Sequence, residues 1–327
     1  MPEFCGGGYY MRSLTLPRII LGTRNMKNNT VSRETIIEAL KNGINCFDTS
    51  PEYGDNQEVE KMLGDILSRF KRESFNVMTK IPGGEPIAMS AGGVEYWIRN
   101  STRNLRVKRI DMLNFTEPND KVPLSETISS MITARTRGSV GEIGIANLGP
   151  EQIGNAMRGQ PIVCMQACYN ILYRNIEFPD SKGRITLNEC TKRNLPIFPY
   201  MPLQDGLLSG KYTCVNEYPD NKKKKTNFFH DSTESIDNVL KKLTHWSKQN
   251  NTTVEHASIN WLLSKNYVKS VIVGCTTPEH VKKLVSGIKE ITSTQSEELV
   301  NLSNRHTRPH AWQFQDLGVS PFVPIMR

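Results

Sequence analysis

The chain has 327 residues, 37% hydrophobic and 23% charged, enough to bury a large core as two modest domains or one large barrel. Its formal charge is +8, but the one dense basic run, Lys222–Lys225, has no interleaved aromatics and no nucleic-acid-binding motif around it. Nucleic acid is therefore not expected as a partner, and the charge reads as a solvated surface or an attraction for a polyphosphate cofactor.

No apolar run approaches the ~20 residues of a membrane span, and the start MPEFCGGGYYMRSL lacks the apolar core of a signal peptide. The seven cysteines are scattered without a C-x-x-C pair. A cytoplasmic protein with no metal centre, no disulfide framework and no membrane partner is expected.

In chain order, Leu16–Thr23 reads as a short strand ending at a glycine turn. A helix follows, with Ser32 as its N-cap and Gly43 as its stop. Ile44–Asp48 is an apolar strand that delivers an acid, and Val59, Met62, Leu63, Ile66 and Leu67 mark one face of the next helix. Further strands are predicted at Phe75–Lys80, Ile110–Phe115, Val140–Ile145, Ile162–Ala167, Leu195–Pro199 and Val271–Gly274. Between and after them lie helices at Val94–Leu105, around Ile128, Met131 and Ile132, from Pro150, and over Arg184–Arg193, Ser235–Gln249, Val254–Ser264 and Pro278–Val285.

Short apolar strands alternating with amphipathic helices predict an α/β protein whose parallel sheet is covered on both faces. Eight such units close an (α/β)8 TIM barrel as a single domain. An open doubly wound sheet is the alternative, but no G-x-G-x-x-G follows any strand. The expected organisation is an N-terminal extension over 1–13, a barrel over 14–304 with a long loop at 206–233, and a tail at 305–327 packing on the barrel.

On a barrel, function collects at the C-terminal ends of the strands. Here those ends offer Gly22 and Thr23, Asp48 with Tyr53 five residues later, Lys80, Thr116, Asn147, Gln166, Tyr200 and Gly274 onward. A tyrosine acts as a general acid when its pKa, about 10 unperturbed, is drawn toward working pH. A lysine ammonium favours the phenolate, and a carboxylate keeps that lysine charged and oriented. Asp48, Tyr53 and Lys80 supply these three groups from adjacent strands. Singly, each has a plainer explanation: Asp48 as a helix cap, Tyr53 as loop packing, Lys80 as a solvated strand end. Their convergence on consecutive strand ends favours chemistry.

The runs DTSPEYG followed by EKMLG, then VMTK, RIDMLNFTEP, GEIGIAN, MQACYN, PYMPLQDGLLSGKY and VIVGCTTPEH resemble the successive signatures of the aldo-keto reductase family, in family order, across about residues 16–285. The resemblance implies an (α/β)8 barrel that binds NADPH, with NADH as the alternative, and reduces an aldehyde or ketone to an alcohol by hydride transfer. It assigns Asp48, Tyr53 and Lys80 to three of four catalytic positions, with Tyr53 as proton donor. It places Gly22 and Thr23 beside the nicotinamide, Asn147 and Gln166 on its carboxamide, and Tyr200 against its ring. Leu203, Gly206, Leu207, Ser209 and Lys211 fall along the pyrophosphate, and Gly274, Thr276 and His280 at the adenosine end.

The sequence departs from that pattern at the fourth catalytic position, where Thr116 stands in place of a histidine. Threonine donates one short, uncharged hydroxyl bond, and losing a preorganised donor costs about 3–4 kcal/mol of barrier. In similar proteins, replacement here accompanies steroid double-bond reduction or a mainly regulatory role, as in potassium-channel β subunits. A catalytically weak NADP(H)-binding subunit with a protein partner is therefore the second functional expectation. Ala146 replaces a serine before Asn147. Thr276, His280 and Leu284 replace an arginine, a glutamine or arginine, and an asparagine at the adenosine end, leaving His280, Lys282 and Lys283 as sources of charge.

Overall fold

Short apolar runs become the strands of one parallel sheet. The computed structural model describes residues 16–83, 86–119, 121–219 and 233–303; the expected N-terminal extension, the Lys222–Lys225 run and the 305–327 tail lie outside the described residues. The strands are β1 (Ile19–Gly22), β2 (Cys46–Asp48), β3 (Asn76–Ile81), β4 (Ile110–Phe115), β5 (Val140–Ala146), β6 (Ile162–Cys168), β7 (Ile197–Tyr200) and β8 (Val271–Gly274). They form an eight-stranded sheet in the order β7-β6-β5-β4-β3-β2-β1-β8, every named pair parallel. The ring closes just ahead of β8: the Ile197 amide donates to the Tyr267 carbonyl at 2.8 Å, and Ile197 bridges Val268. The result is the nearly closed (α/β)8 barrel expected from the alternation.

Outside the sheet run α1 (Thr30–Lys41), α2 (Glu58–Leu67), a single turn α3 (Pro86–Met89), α4 (Ala91–Leu105), α5 (Leu124–Thr136), α6 (Pro150–Ala156) and α7 (Thr186–Lys192). They continue with α8 (Thr233–Gln249), α9 (Val254–Leu263), α10 (Pro278–Ser286) and α11 (Ser293–Ser303). Among the described residues, no helix is long and apolar enough to cross a membrane.

Two local expectations are corrected. Asn29, not Ser32, caps α1: its side chain accepts the Ser32 amide at 2.9 Å, which puts Ser32 inside the first turn. Helix α11, STQSEELVNLS, was not predicted because its apolar stripe is thin. Tertiary contacts hold it instead, with Arg174 donating to Ser303 Oγ at 3.3 Å and Trp246 Nε1 donating to Glu298 at 2.7 Å.

The core lies in two shells. Odd-numbered strand residues such as Leu21, Phe47, Val77 and Leu113 pack outward against helix side chains including Val59, Met62, Leu63 and Ile66. Ile20, Cys46, Met78, Met112, Cys164, Phe198 and Ile272 point inward and fill the barrel. Side chains alternate across a strand, so whatever lies two residues beyond each of these comes next up the barrel axis.

Candidate active site

Two residues beyond that apolar plug stand Gly22, Asp48, Lys80, Asn114, Gln166, Tyr200 and Gly274. The change from apolar to polar happens in one step along almost every strand, and it happens at the C-terminal mouth. Register brings the groups level: Gly22 lies opposite Asp48 and Gly274, and Lys80 opposite Asn114. The two glycines leave the mouth lined by backbone between β1 and β8, since a Cβ built on Gly274 would meet only the Gly22 carbonyl, at 3.9 Å.

Asp48 and Lys80 form a buried ion pair, 4% and 6% exposed, with Lys80 Nζ 2.6 Å from Asp48 Oδ2. Gln166 donates to the other Asp48 oxygen at 2.9 Å, so both carboxylate oxygens are bound and Asp48 is no helix cap. Lys80 Nζ also donates to the Thr49 carbonyl at 2.9 Å and to the Tyr53 hydroxyl at 3.5 Å. Burial works against the Lys80 charge, but Asp48 and Tyr53 outweigh it and hold its pKa above the usual lysine value.

Tyr53 behaves differently from the expectation that lysine draws its pKa down. Burial dominates and raises it, Lys80 opposes this, and the Asp48 charge cancels part of the opposition. At neutral pH the phenol is thus fully protonated, with an ammonium in place to receive the charge if the proton leaves.

Thr23 is buried and engaged: its amide and its hydroxyl both donate to the Asp48 carbonyl, at 3.0 and 2.9 Å. At the far side, Asn147 follows β5 with φ of 55°, a left-handed conformation that is uncommon outside glycine. That kink takes Asn147 out of strand alternation. Its amide donates to the Thr116 carbonyl at 2.8 Å, and Tyr200 donates to its oxygen at 2.8 Å. Thr116 is held on three sides, its own amide on the Ile81 carbonyl and its Oγ1 accepting the Gly83 amide at 2.7 Å.

The segment after β7 is a tight turn with left-handed residues at Gln204, Asp205, Gly206 and Gly210. Asn170 donates to Gln204 Oε1 at 2.7 Å, and the Tyr218 hydroxyl donates to the Gln204 and Asp205 carbonyls. Leu203 and Leu207 turn into the core, leaving backbone, Gly206, Ser209 and the exposed Lys211 for a ligand.

At the positions that the resemblance assigns to the adenosine end, Thr276 is exposed and Leu284 is fully buried. His280 is turned to the buried carboxylate of Glu255, which Lys283 also meets at 2.8 Å, and Lys282 reaches toward Glu38 at 3.8 Å. Much of the positive charge expected there is therefore answered within the protein.

Three groups near the mouth escaped the sequence reading. Asn114 faces Lys80 across the ladder and is fully buried, its amide nitrogen without a partner among the described residues. Counting strand residues by twos from the apolar plug would have found it. Glu52 and Arg24 sit on the loops after β2 and β1; Arg24 acts electrostatically on Tyr53, and Lys80 and Arg24 act on Glu52. No periodicity points to a loop side chain.

The sequence model of the aldo/keto reductase family matches residues 18–303. The NADH-specific methylglyoxal reductase of Escherichia coli (strain K12) is 26% identical over 307 residues, covering 84% of this chain and 90% of that protein. A probable aldo-keto reductase 1 of Glycine max is 26% identical over 258 residues, 76% of this chain and 72% of that protein. Among solved structures, the glycerol dehydrogenase of Gluconobacter oxydans superposes with a TM-score of 0.78 at 23% identity, over 92% of this chain and 95% of that one. An aldo-keto reductase of Klebsiella pneumoniae in complex with NADPH superposes with a TM-score of 0.69 at 21% identity, over 90% and 93%.

Proposed function

The chain belongs to the aldo/keto reductase family, and from that premise we propose that it reduces an aldehyde or ketone to an alcohol, with NADPH as hydride donor and Tyr53 as general acid. The observation that carries this reading is the buried Asp48–Lys80 pair with the Tyr53 hydroxyl 3.5 Å from the ammonium. Tyr53 stays protonated until a carbonyl oxygen develops negative charge, and then gives up its proton. Lys80 stabilises the phenolate that results, and Asp48 keeps Lys80 charged and aimed.

The chemistry of the mouth suits a nicotinamide: carboxamide side chains at Asn147 and Gln166, an aromatic at Tyr200, and backbone at the half-buried Gly22 and the exposed Gly274. Among the described residues, the Gln166 oxygen accepts no hydrogen bond and is available to an amide. When bound, that ring supplies the hydride. NADPH is favoured by the basic character of the chain and by the NADPH bound in the Klebsiella pneumoniae reductase. The NADH-specific Escherichia coli relative keeps NADH as the alternative.

The test is Tyr53→Phe. It is expected to bind NADPH like the wild type, followed by quenching of tryptophan fluorescence, and to lose at least about 10²-fold in carbonyl turnover. Equal turnover by both proteins on every accepted carbonyl rejects the mechanism. A second reading, a cofactor-binding regulatory subunit, is favoured by Thr116, whose Oγ1 is occupied by the Gly83 amide. It predicts NADPH binding by the wild type with no turnover of any aldehyde in a broad panel.

A further inference from the structure

Thr116 stands where the family pattern places a histidine, and its polar groups are turned to neighbouring loops. Its amide donates to the Ile81 carbonyl at 3.0 Å, and its Oγ1 accepts the Gly83 amide at 2.7 Å. Its carbonyl accepts the Asn147 side-chain amide at 2.8 Å. From Asn147 the bonds continue: the Tyr200 hydroxyl donates to its Oδ1 at 2.8 Å, and its backbone amide donates to the Gln166 carbonyl at 3.1 Å. One threonine thus links the loop after β3 to the turn after β5 and to residues of β6 and β7.

The β3 end of this strap has no slack. The Asn119 side chain donates to the Gly83 carbonyl at 2.9 Å, so the loop after β4 holds both the N–H and the C=O of Gly83. Gly83 is buried so close to that loop that a Cβ on it would lie 2.4 Å from the Glu117 carbonyl oxygen. At the other end, a left-handed residue other than glycine persists where its surroundings hold it. Asn147, with φ of 55°, is pinned through its side chain by Thr116 and Tyr200.

Resting on the part of the reading above in which Asn147, Gln166 and Tyr200 meet the nicotinamide, we propose that Thr116 is a positioning residue for the cofactor. It anchors Asn147, and through it Tyr200, to the fixed corner between the β3 and β4 loops. The fourth catalytic position then supports the wall that orients the ring, and Tyr53 remains the proton donor. Thr116 takes one of the two Asn147 amide hydrogens and leaves the other for a ligand. A histidine could not replace this support. Its nearest ring nitrogen lies one bond further from Cβ than Oγ1, so the Gly83 amide would lose the acceptor it now meets.

Wild type, Thr116→Ser, Thr116→Val, Thr116→His and Asn119→Ala are compared by calorimetry for binding of NADPH and NADH and of the same molecules without nicotinamide, ADP-ribose 2′-phosphate and ADP-ribose. Aldehyde turnover is followed alongside. Thr116→Val keeps the shape and loses the acceptor. Its Kd for the intact cofactor is expected to rise about 10-fold, the equivalent of one lost hydrogen bond, while its Kd for the fragment changes less than about 2-fold. Thr116→Ser keeps the hydroxyl and the wild-type affinity. Asn119→Ala opens the same corner from its other bond and weakens the intact cofactor but not the fragment, so the test does not depend on how well Thr116→Val folds. Thr116→His binds like the valine variant and gains no turnover.

Unchanged cofactor affinity in Thr116→Val and Asn119→Ala, equal weakening of cofactor and fragment, or faster turnover by Thr116→His at wild-type affinity overturns the proposal and leaves carbonyl reduction standing. Wild type that binds the cofactor but turns over no aldehyde rejects carbonyl reduction alone. Wild type that binds neither NADPH nor NADH overturns both.

Discussion

Lys80 carries its charge in a place where an unpaired charge could not survive. Its side chain and that of Asp48 are 7% and 5% exposed, and each satisfies the other at 2.6 Å. Removing one member strands the other, so Lys80→Met should cost about 3–5 kcal/mol of stability. The double change Lys80→Met with Asp48→Asn should recover most of that loss, because no buried charge is left. Urea titration of the three variants measures it, and a single variant within about 0.5 kcal/mol of the wild type would mean that water reaches the pair. The same contrast separates fold from chemistry, since the double variant should be stable and yet as inactive as Tyr53→Phe.

Helices are tied to the barrel by contacts that tolerate little change. In α2, a Cβ at Gly64 would lie 2.1 Å from the Asn104 carbonyl and 2.7 Å from the Leu105 backbone of α4. Backbone cannot swing aside as a side chain can, so Gly64→Ala should destabilise by about 1–3 kcal/mol, read from thermal or chemical denaturation.

Helices α9 and α10 meet through Glu255, whose carboxylate takes His280 and Lys283. Burial tends to raise the Glu255 pKa, but the bonds and charges of those partners overcome it and bring it down to about 2 from an ordinary 4.5. A depressed carboxylate stabilises the fold above its unfolded value and loses that contribution as pH falls through its folded value. Stability should therefore decline from about pH 4.5 toward 2, and Glu255→Gln should flatten that part of the profile while lowering stability above it. Parallel pH slopes for both proteins would show that the carboxylate is not specially held.

Across the whole molecule, the barrel is continuous except at one seam. β3, β4 and β5 pair along their lengths. β7 meets the β8 side mainly through the Ile197 amide on the Tyr267 carbonyl and the bridge to Val268. Local opening begins where few backbone bonds hold. Native-state hydrogen exchange should find the Ile197 amide opening at lower free energy than the β4 amides of Met112 and Leu113, and equal protection would place the weak point elsewhere.

The sequence by itself determined the alternation of eight strands with helices, the barrel and the three groups Asp48, Tyr53 and Lys80. Burial repeats every second residue in a strand and about every fourth in a helix, and the change from apolar to polar at almost every strand end is written in the chain. It could not determine what those groups do to one another. The Asp48–Gln166 bond joins residues 118 apart in sequence, and the raised Tyr53 pKa comes from packing that outweighs Lys80.

Asn147 enters the site through a backbone kink, and Asn114 through cross-strand register. Helix α11 stands on contacts with Arg174 and Trp246 that its own residues do not announce. Local patterns record which residues avoid water. Distances, charges and proton positions depend on neighbours far away in sequence, and only the closed barrel brings those neighbours together.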